Sequence, residues 1–266
     1  MTTMLINLTI PVYNEQEALP STIAKLVPFL SSSCHHDWEI VIADNGSTDS
    51  TLAVARKESQ NYSRVRVAHL DCKGRGRALK YVWRMSQADI LSYMDVDLST
   101  DLGAFPGLIE ALSSGKFDVA TGSRLKKESQ VIRGIKREII SRCYNRLVKS
   151  LFSITFSDAQ CGFKAITREA ALSLLPMVED VGWFFDTELL ILGEKLGYRI
   201  CELPVRWVDD PDSRVKICRT AWDDLKGLAR LYGAHRGGAW ALPTGGTSSE
   251  AKATHPFVSL AERDQP

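Results

Sequence analysis

The chain has 266 residues, 44% of them hydrophobic, which is enough for one sizeable α/β core. Its 33 Lys and Arg stand against 32 Asp and Glu, a balance that excludes a global pull toward nucleic acid, so any anion site must be local. The six cysteines are scattered without CxxC spacing, which excludes zinc or thiol-redox chemistry of that kind and reads as reduced side chains in a cytoplasmic setting.

Met1 to Asn7 lacks the regions of a signal peptide, and no run approaches the ~18 apolar residues of a spanning helix. Any membrane contact is therefore expected to be peripheral, on the cytoplasmic face. Met4 to Val12 reads as a buried strand that enters a loop at Tyr13-Asn14-Glu15, with a helix following. Trp38 to Ala43 repeats the pattern and runs into the turn chemistry of Asp44-Asn45-Gly46-Ser47. Val65 to Leu70 and Ile90 to Met94 are further strands, separated by a helical stretch from Ala78 to Met85. A helix after Thr100 ends near Gly115, and Asp118 to Thr121 is another strand.

From about Arg133 a long helix is expected, then a strand over Gly162 to Ile166, a helix through Glu188 to Leu196, and a single strand from Ile200 to Val208. Strands alternating with helices predict a doubly wound, mainly parallel mixed sheet flanked by helices, with ligands beyond the strands' carboxyl ends. The pattern is read as one domain over 1–233, with a first half to about 125 and a second half over about 126–233. The Gly-, Ser- and Thr-rich stretch 234–266 is expected to be a disordered tail.

The most informative segment is Asp95-Val96-Asp97, where an apolar strand delivers two carboxylates separated by one residue. Carboxylates held close together repel unless a cation lies near them, and hard oxygen ligands favour Mg²⁺ or Mn²⁺ completed by a diphosphate. An Asp-x-Asp alone is more often a helix cap or a solvated end. The weight comes from the ordered set around it: Pro11-Val12-Tyr13-Asn14-Glu15, Asp44-Asn45-Gly46-Ser47-Thr48-Asp49, Lys73-Gly74-Arg75-Gly76, the Asp pair, and Gly122-Ser123-Arg124.

In this order and spacing the chain resembles the family-2 glycosyltransferases of GT-A fold. It is most similar to the dolichol-phosphate or polyprenol-phosphate sugar synthases, over roughly Leu5 to Tyr232. The likeness extends to Ser157-Asp158-Ala159-Gln160-Cys161-Gly162-Phe163-Lys164, Phe185-Asp186-Thr187-Glu188 and Glu202-Leu203-Pro204-Val205-Arg206-Trp207. The resemblance implies that Pro11, Tyr13, Asn14, Glu15 and Asp44 line the base and ribose pocket, and that Asp95 and Asp97 serve the ribose and the metal-diphosphate. Lys73 and Arg75, beside glycines that open a helix, add positive charge and backbone N–H groups toward phosphate.

The sequence departs from many dolichol-phosphate mannose synthases at Ser99, where they carry Gln, and at Asp210-Pro211-Asp212-Ser213-Arg214-Val215-Lys216, where they carry Arg-x-x-Gly-x-Ser-Lys. Trp207 followed by that stretch looks more like the dolichol-phosphate glucose synthases. UDP-glucose and GDP-mannose both stay open as donors.

Two basic amphipathic helices are expected, one carrying Arg133, Lys136, Arg137, Arg142, Arg146 and Lys149, the other over Ile217 to Tyr232. Each stripe packs on the sheet or lies on a membrane surface, and the resemblance puts Arg133 and Arg137 next to an acceptor phosphate. Arg124, Arg133, Arg137, Arg214 and Lys216 are the expected clamp for acceptor phosphate or diphosphate, with Asp97, Arg124 and Arg137 nearest the chemistry. A lipid phosphate, already anionic with a second pKa of ~6, attacks without a general base. A hydroxyl acceptor would need one, and Asp186 and Glu188 are the reserve candidates, because all five histidines lie outside the motifs. A nucleotidyltransferase would show a Gly-rich basic loop after the first strand, which Val12-Tyr13-Asn14-Glu15 is not. A non-catalytic nucleotide-sugar-binding protein would not need the intact carboxylate set.

Overall fold

A computed structural model describes residues 3–209, 217–238 and 240. The first half runs β1 (Leu5–Val12), α1 (Ala18–Ser33), β2 (Asp37–Asn45), α2 (Thr51–Asn61), β3 (Val65–Leu70), α3 (Arg75–Met85), β4 (Ile90–Met94), α4 (Phe105–Ser113) and β5 (Val119–Ser123). It continues with β6 (Gln130–Ile132), α5 (Ile135–Phe152), β7 (Phe163–Thr167), α6 (Arg168–Leu174), α7 (Phe185–Lys195), β8 (Ile200–Pro204), β9 (Arg206–Val208) and α8 (Ile217–Arg236).

The main sheet has the order β3-β2-β1-β4-β7-β5-β8. β7 runs antiparallel to both β4 and β5, and the other pairs are parallel, so the sheet is mixed as expected. Alternate strand residues supply two cores, one on each face. Ile6, Leu8 and Ile10 of β1 pack with Leu19, Ile23 and Leu26 of α1, and Phe105 and Leu108 of α4 join them. On the other face Leu91 and Tyr93 of β4 pack with Leu79 and Trp83 of α3, Phe185 and Leu189 of α7, and Leu228 and Leu231 of α8. The chain winds from β1 outward to β3, then returns to place β4 on β1's other side. That reversal opens a crevice at the carboxyl ends of β1, β2 and β4.

The anticipated single strand over Ile200 to Val208 is two. The chain leaves the main sheet at Pro204, which has no N–H for a continuing ladder, and β9 pairs instead with β6 in a separate parallel ribbon. The helices α2 and α6 and the short strand β6 carry too weak a hydrophobic period to be read from sequence. α8 continues to Arg236, past the expected domain limit at 233, and His235 stacks on Trp240 at 5.4 Å between ring centroids. Among the described residues no helix is long and apolar enough to cross a membrane.

Candidate active site

The polar loops of the first half meet at the crevice and lock one another. Asn14 sits in the left-handed region at φ 57°, its amide N–H donates to Ser47 Oγ at 3.0 Å, and its side-chain oxygen accepts from Thr48 N–H at 2.8 Å. Glu15 N–H donates to Thr51 Oγ1 at 2.7 Å. Asn45 bridges two further loops, donating to Val12 C=O at 2.7 Å and accepting from Gly74 N–H at 3.2 Å. Lys73 Nζ stands 3.5 Å from the centroid of the Tyr13 ring. Pro11 and Asp44 lie at the end of the β1–β2 ladder, opposite Ala43 and Val12. Pro11, Tyr13, Asn14, Glu15, Asp44 and Lys73 are thus brought to one end of the sheet.

Asp44 is fully buried, and His69 Nδ1 lies 2.7 Å from its Oδ2. His69, though outside the motifs in sequence, thus touches a motif residue. The signal was available in strand register: Asp44 and His69 face each other across the parallel β2–β3 pair.

Asp95 and Asp97 follow the end of β4. Arg75 donates to Asp95 Oδ1 from both Nε, at 3.2 Å, and Nη2, at 2.8 Å. Asp95 Oδ2 lies against Gly162, where an added Cβ would meet it at 1.8 Å, so a side chain at 162 would evict the carboxylate. Asp97 is exposed, accepts from Ser99 N–H at 2.9 Å, and precedes Leu98 at φ 51°, a tight reversal that brings the carboxylate back over the strand end. A small cavity here is lined by Asp95, Asp97, Ser99, Thr100, Gly162 and Trp207. Two hard carboxylate donors and no third His, Cys, Asp or Glu positioned to complete a metal cage among the described residues fit Mg²⁺ or Mn²⁺, which keep phosphate and water ligands.

The described cations of the expected clamp, Arg124, Arg133 and Arg137, are each engaged by a carboxylate. Arg124 makes a forked pair with buried Asp158, Nε to Oδ2 at 2.7 Å and Nη2 to Oδ1 at 2.9 Å, and lies 5.5 Å from the Trp207 ring centroid. Burial would raise the Asp158 pKa, yet Arg124's charge and hydrogen bonds outweigh it and bring the carboxyl down to about 2. Arg133 pairs with Glu138 at 2.5 Å, and Arg137 with Asp209. Arg214 and Lys216 lie outside the described residues.

The helix start of α3 differs from the anion site expected of it. Gly76 N–H donates to Gly182 C=O at 3.2 Å and Arg77 N–H to Val181 C=O at 3.1 Å, so the loop before α7 already caps it. Gly76 permits this approach, because a Cβ there would come within 2.7 Å of Phe185 Cβ.

Asp186 and Glu188 are not an exposed helix start. Both are buried. Asp186 contacts Arg75 Nη1 at 2.5 Å, Lys164 Nζ at 3.2 Å and the Tyr93 hydroxyl. Burial pushes its pKa up, but Lys164 and Arg75 more than offset that and hold it below the usual carboxylate range. Glu188 accepts from Asp180 N–H at 2.8 Å and Arg230 Nη2 at 2.9 Å.

This geometry, a nucleotide-type crevice at a sheet reversal with an acidic pair at its edge, agrees with what sequence and structure comparison find. Residues 8–175, more than half of the chain, match the profile of Glycosyl transferase family 2. The glycosyltransferase AglD of Haloferax volcanii is 37% identical over 216 residues, covering 80% of this chain and 35% of that protein. This chain therefore spans about a third of AglD's length. The dolichyl-phosphate beta-glucosyltransferase of Mus musculus is 31% identical over 259 residues, covering 90% of this chain and 78% of its own. Glucosyl-3-phosphoglycerate synthase from Mycobacterium tuberculosis, in complex with UDP, superposes with a TM-score of 0.66 at 20% identity, covering 86% of this chain and 80% of that one. The chain belongs to glycosyl transferase family 2 and has the GT-A fold.

Proposed function

We propose that this protein transfers a hexose, with inversion, from a nucleoside-diphosphate sugar to a polyprenyl or dolichyl phosphate. The observation that carries the reading is the acidic pair Asp95 and Asp97, which follows the carboxyl end of β4 and lines a cavity with Trp207 of β9. The name of the mouse dolichyl-phosphate beta-glucosyltransferase supports a lipid-phosphate acceptor and favours glucose over mannose, hence UDP-glucose over GDP-mannose.

In this reading Asp44 and its loop partners bind base and ribose, and Lys73, held over Tyr13, lies on the phosphate side. Asp97, with Asp95, holds Mg²⁺ or Mn²⁺, which when bound neutralises charge on the departing diphosphate as a Lewis acid. Arg124 cannot swing freely, since Asp158 fixes its fork, so it contributes as an oriented group beside Trp207. Arg133 and Arg137 orient the acceptor phosphate, joined in the sequence reading by Arg214 and Lys216, and a phosphate oxygen attacks the anomeric carbon as the sugar–diphosphate bond breaks. No general base is required.

The same face suits a membrane surface. Ile132, Ile135 and Ile139 on β6 and α5 are 64%, 78% and 56% exposed, and Trp222 on α8 is 61% exposed, with Lys136, Arg142 and Arg146 among them. Flotation with anionic vesicles at low salt should carry native protein up, and Ile135→Ser/Ile139→Ser should not follow; equal flotation of the two would remove this face from the account. For the reaction, radiolabelled UDP-glucose and GDP-mannose are offered with polyprenyl phosphate, with Mn²⁺ or with chelator. Label in the lipid from UDP-glucose, lost in chelator, is the expected result; no transfer from either donor would refute the proposal.

A further inference from the structure

We infer that Arg75 and Asp186 are positioning residues for the Asp95 carboxylate, forming a buried strut that runs from the second half of the chain to the acidic pair. The inference rests on the metal-assisted transfer proposed above and assigns roles that the motif reading gave differently, Arg75 to phosphate and Asp186 to proton transfer.

The strut is continuous. Lys164 on β7 and Tyr93 on β4 hold Asp186 Oδ1, while Asp186 Oδ2 accepts from Arg75 Nη1. The other side of the same guanidinium, Nε and Nη2, is spent on Asp95 Oδ1. Its plane is held between the rings of Tyr93 and Trp183, 4.8 and 5.0 Å from their centroids. The Arg75 side chain is 8% exposed and that of Asp186 4%, and the polar atoms of both are taken up by one another and by Asp95, Lys164 and Tyr93.

With Oδ1 taken, Asp95 keeps Oδ2, which lies against Gly162 beside the cavity that both residues line. A guanidinium fork satisfies two carboxylates in fixed directions at once, which an ammonium cannot do. The charges also balance: two carboxylates, Asp95 and Asp186, face two cations, Arg75 and Lys164, so the cluster is neutral before any metal arrives. The loop carbonyls of Val181 and Gly182 on the α3 N-terminus fix the backbone from which Arg75 projects. The second half of the chain thereby sets the aim of a carboxylate in the first.

Partners behind a metal ligand typically change metal affinity by roughly 10–100-fold when removed, and that is the loss expected here for Arg75→Lys and Asp186→Asn. The assay titrates Mn²⁺ calorimetrically in the presence of UDP, alongside UDP binding without metal and the thermal midpoint. Positioning predicts weakened Mn²⁺ binding with metal-free UDP binding kept, and no rescue by lysine. A merely structural role would lower the midpoint and leave Mn²⁺ affinity of the folded protein unchanged, which would overturn the inference. Asp97→Asn calibrates the assay: unchanged Mn²⁺ binding in that variant would sink the metal reading itself, whereas loss there with no loss in the other two sinks only the strut. Should Arg75→Lys and Asp186→Asn fail to fold, Tyr93→Phe, which removes one hydroxyl contact and no charge, decides by the same measure, with a smaller loss expected and no loss fatal.

Discussion

Around Asp95 every polar group is aimed by something buried, whereas around Arg137 the charges hold each other at the surface. Asp95 is fixed by a guanidinium and a glycine wall, and the guanidinium in turn by Asp186. Arg137 is a third exposed and answers to Asp209, itself a fifth exposed, on the small ribbon beside α5. The first arrangement is pre-organised for one geometry. The second must be opened, because a phosphate that takes Arg137 displaces a carboxylate. A donor whose diphosphate is always alike suits the former, and a lipid headgroup arriving at a membrane surface suits the latter.

Four measurements break or sharpen that contrast. The largest effect is expected at Asp97→Asn, which deletes a charged oxygen ligand and should lower kcat at least ~100-fold, a loss of several kcal/mol in transition-state stabilisation. Full turnover of that variant, or of native protein in excess chelator, would dissolve the donor side of the comparison.

Next is the buried pair. Asp158→Asn leaves Arg124 without a counter-charge in the interior, and denaturant unfolding should show about 3–5 kcal/mol of lost stability. The pH dependence has a definite sign. The Asp158 pKa falls from 3.8 to about 2 on folding, so its contribution is complete above pH ~4 and is lost as pH falls toward about 2. Native protein should lose stability through that window and Asp158→Asn should lose less; parallel acid curves would contradict the assignment.

Third, Arg137→Ala should raise the acceptor KM about tenfold, the scale of one charge-assisted contact, with the donor KM unmoved. Asp209→Asn should push the acceptor KM the other way by releasing Arg137, and a rise there would mean the pair is structural.

The smallest effect is at Asp224 on α8. It is 2% exposed, its Oδ2 accepts from Gln160 at 2.8 Å, and burial, with Asp180, Asp223 and Asp186 nearby, pushes its pKa up to about 7. Because the folded form holds its proton more tightly, stability falls as pH rises from about 4 to about 7. Asp224→Asn should melt slightly higher than native at pH 8 and equal to it near pH 4. A lower melting point at pH 8 would show the ionised carboxylate to be stabilising.

Much of this was legible in the chain. The bounds of β3 and β4 follow from apolar runs, and the donor loops from short motifs whose residues meet within one turn of where they are written. What could not be read is what depends on distant partners. Arg124 and Asp158 are 34 residues apart and Arg75 and Asp186 are 111 apart, so each arginine looked available for phosphate until its carboxylate was placed. His69 was hidden by register, since its distance from Asp44 in sequence says nothing until β2 and β3 are paired. Asp186 and Glu188 stood as reserve bases because no histidine falls in a motif, and only the packing of α7 against Arg75, Lys164 and Arg230 shows them buried.

The central claim is that the nucleophile is a phosphate oxygen, and the most direct measurement offers polyprenyl phosphate and dephosphorylated polyprenol side by side with the same labelled sugar nucleotide and Mn²⁺. The account predicts label in a β-linked lipid-phosphate sugar and none in the alcohol. Equal transfer to polyprenol, or to a free saccharide, would contradict it and require a general base.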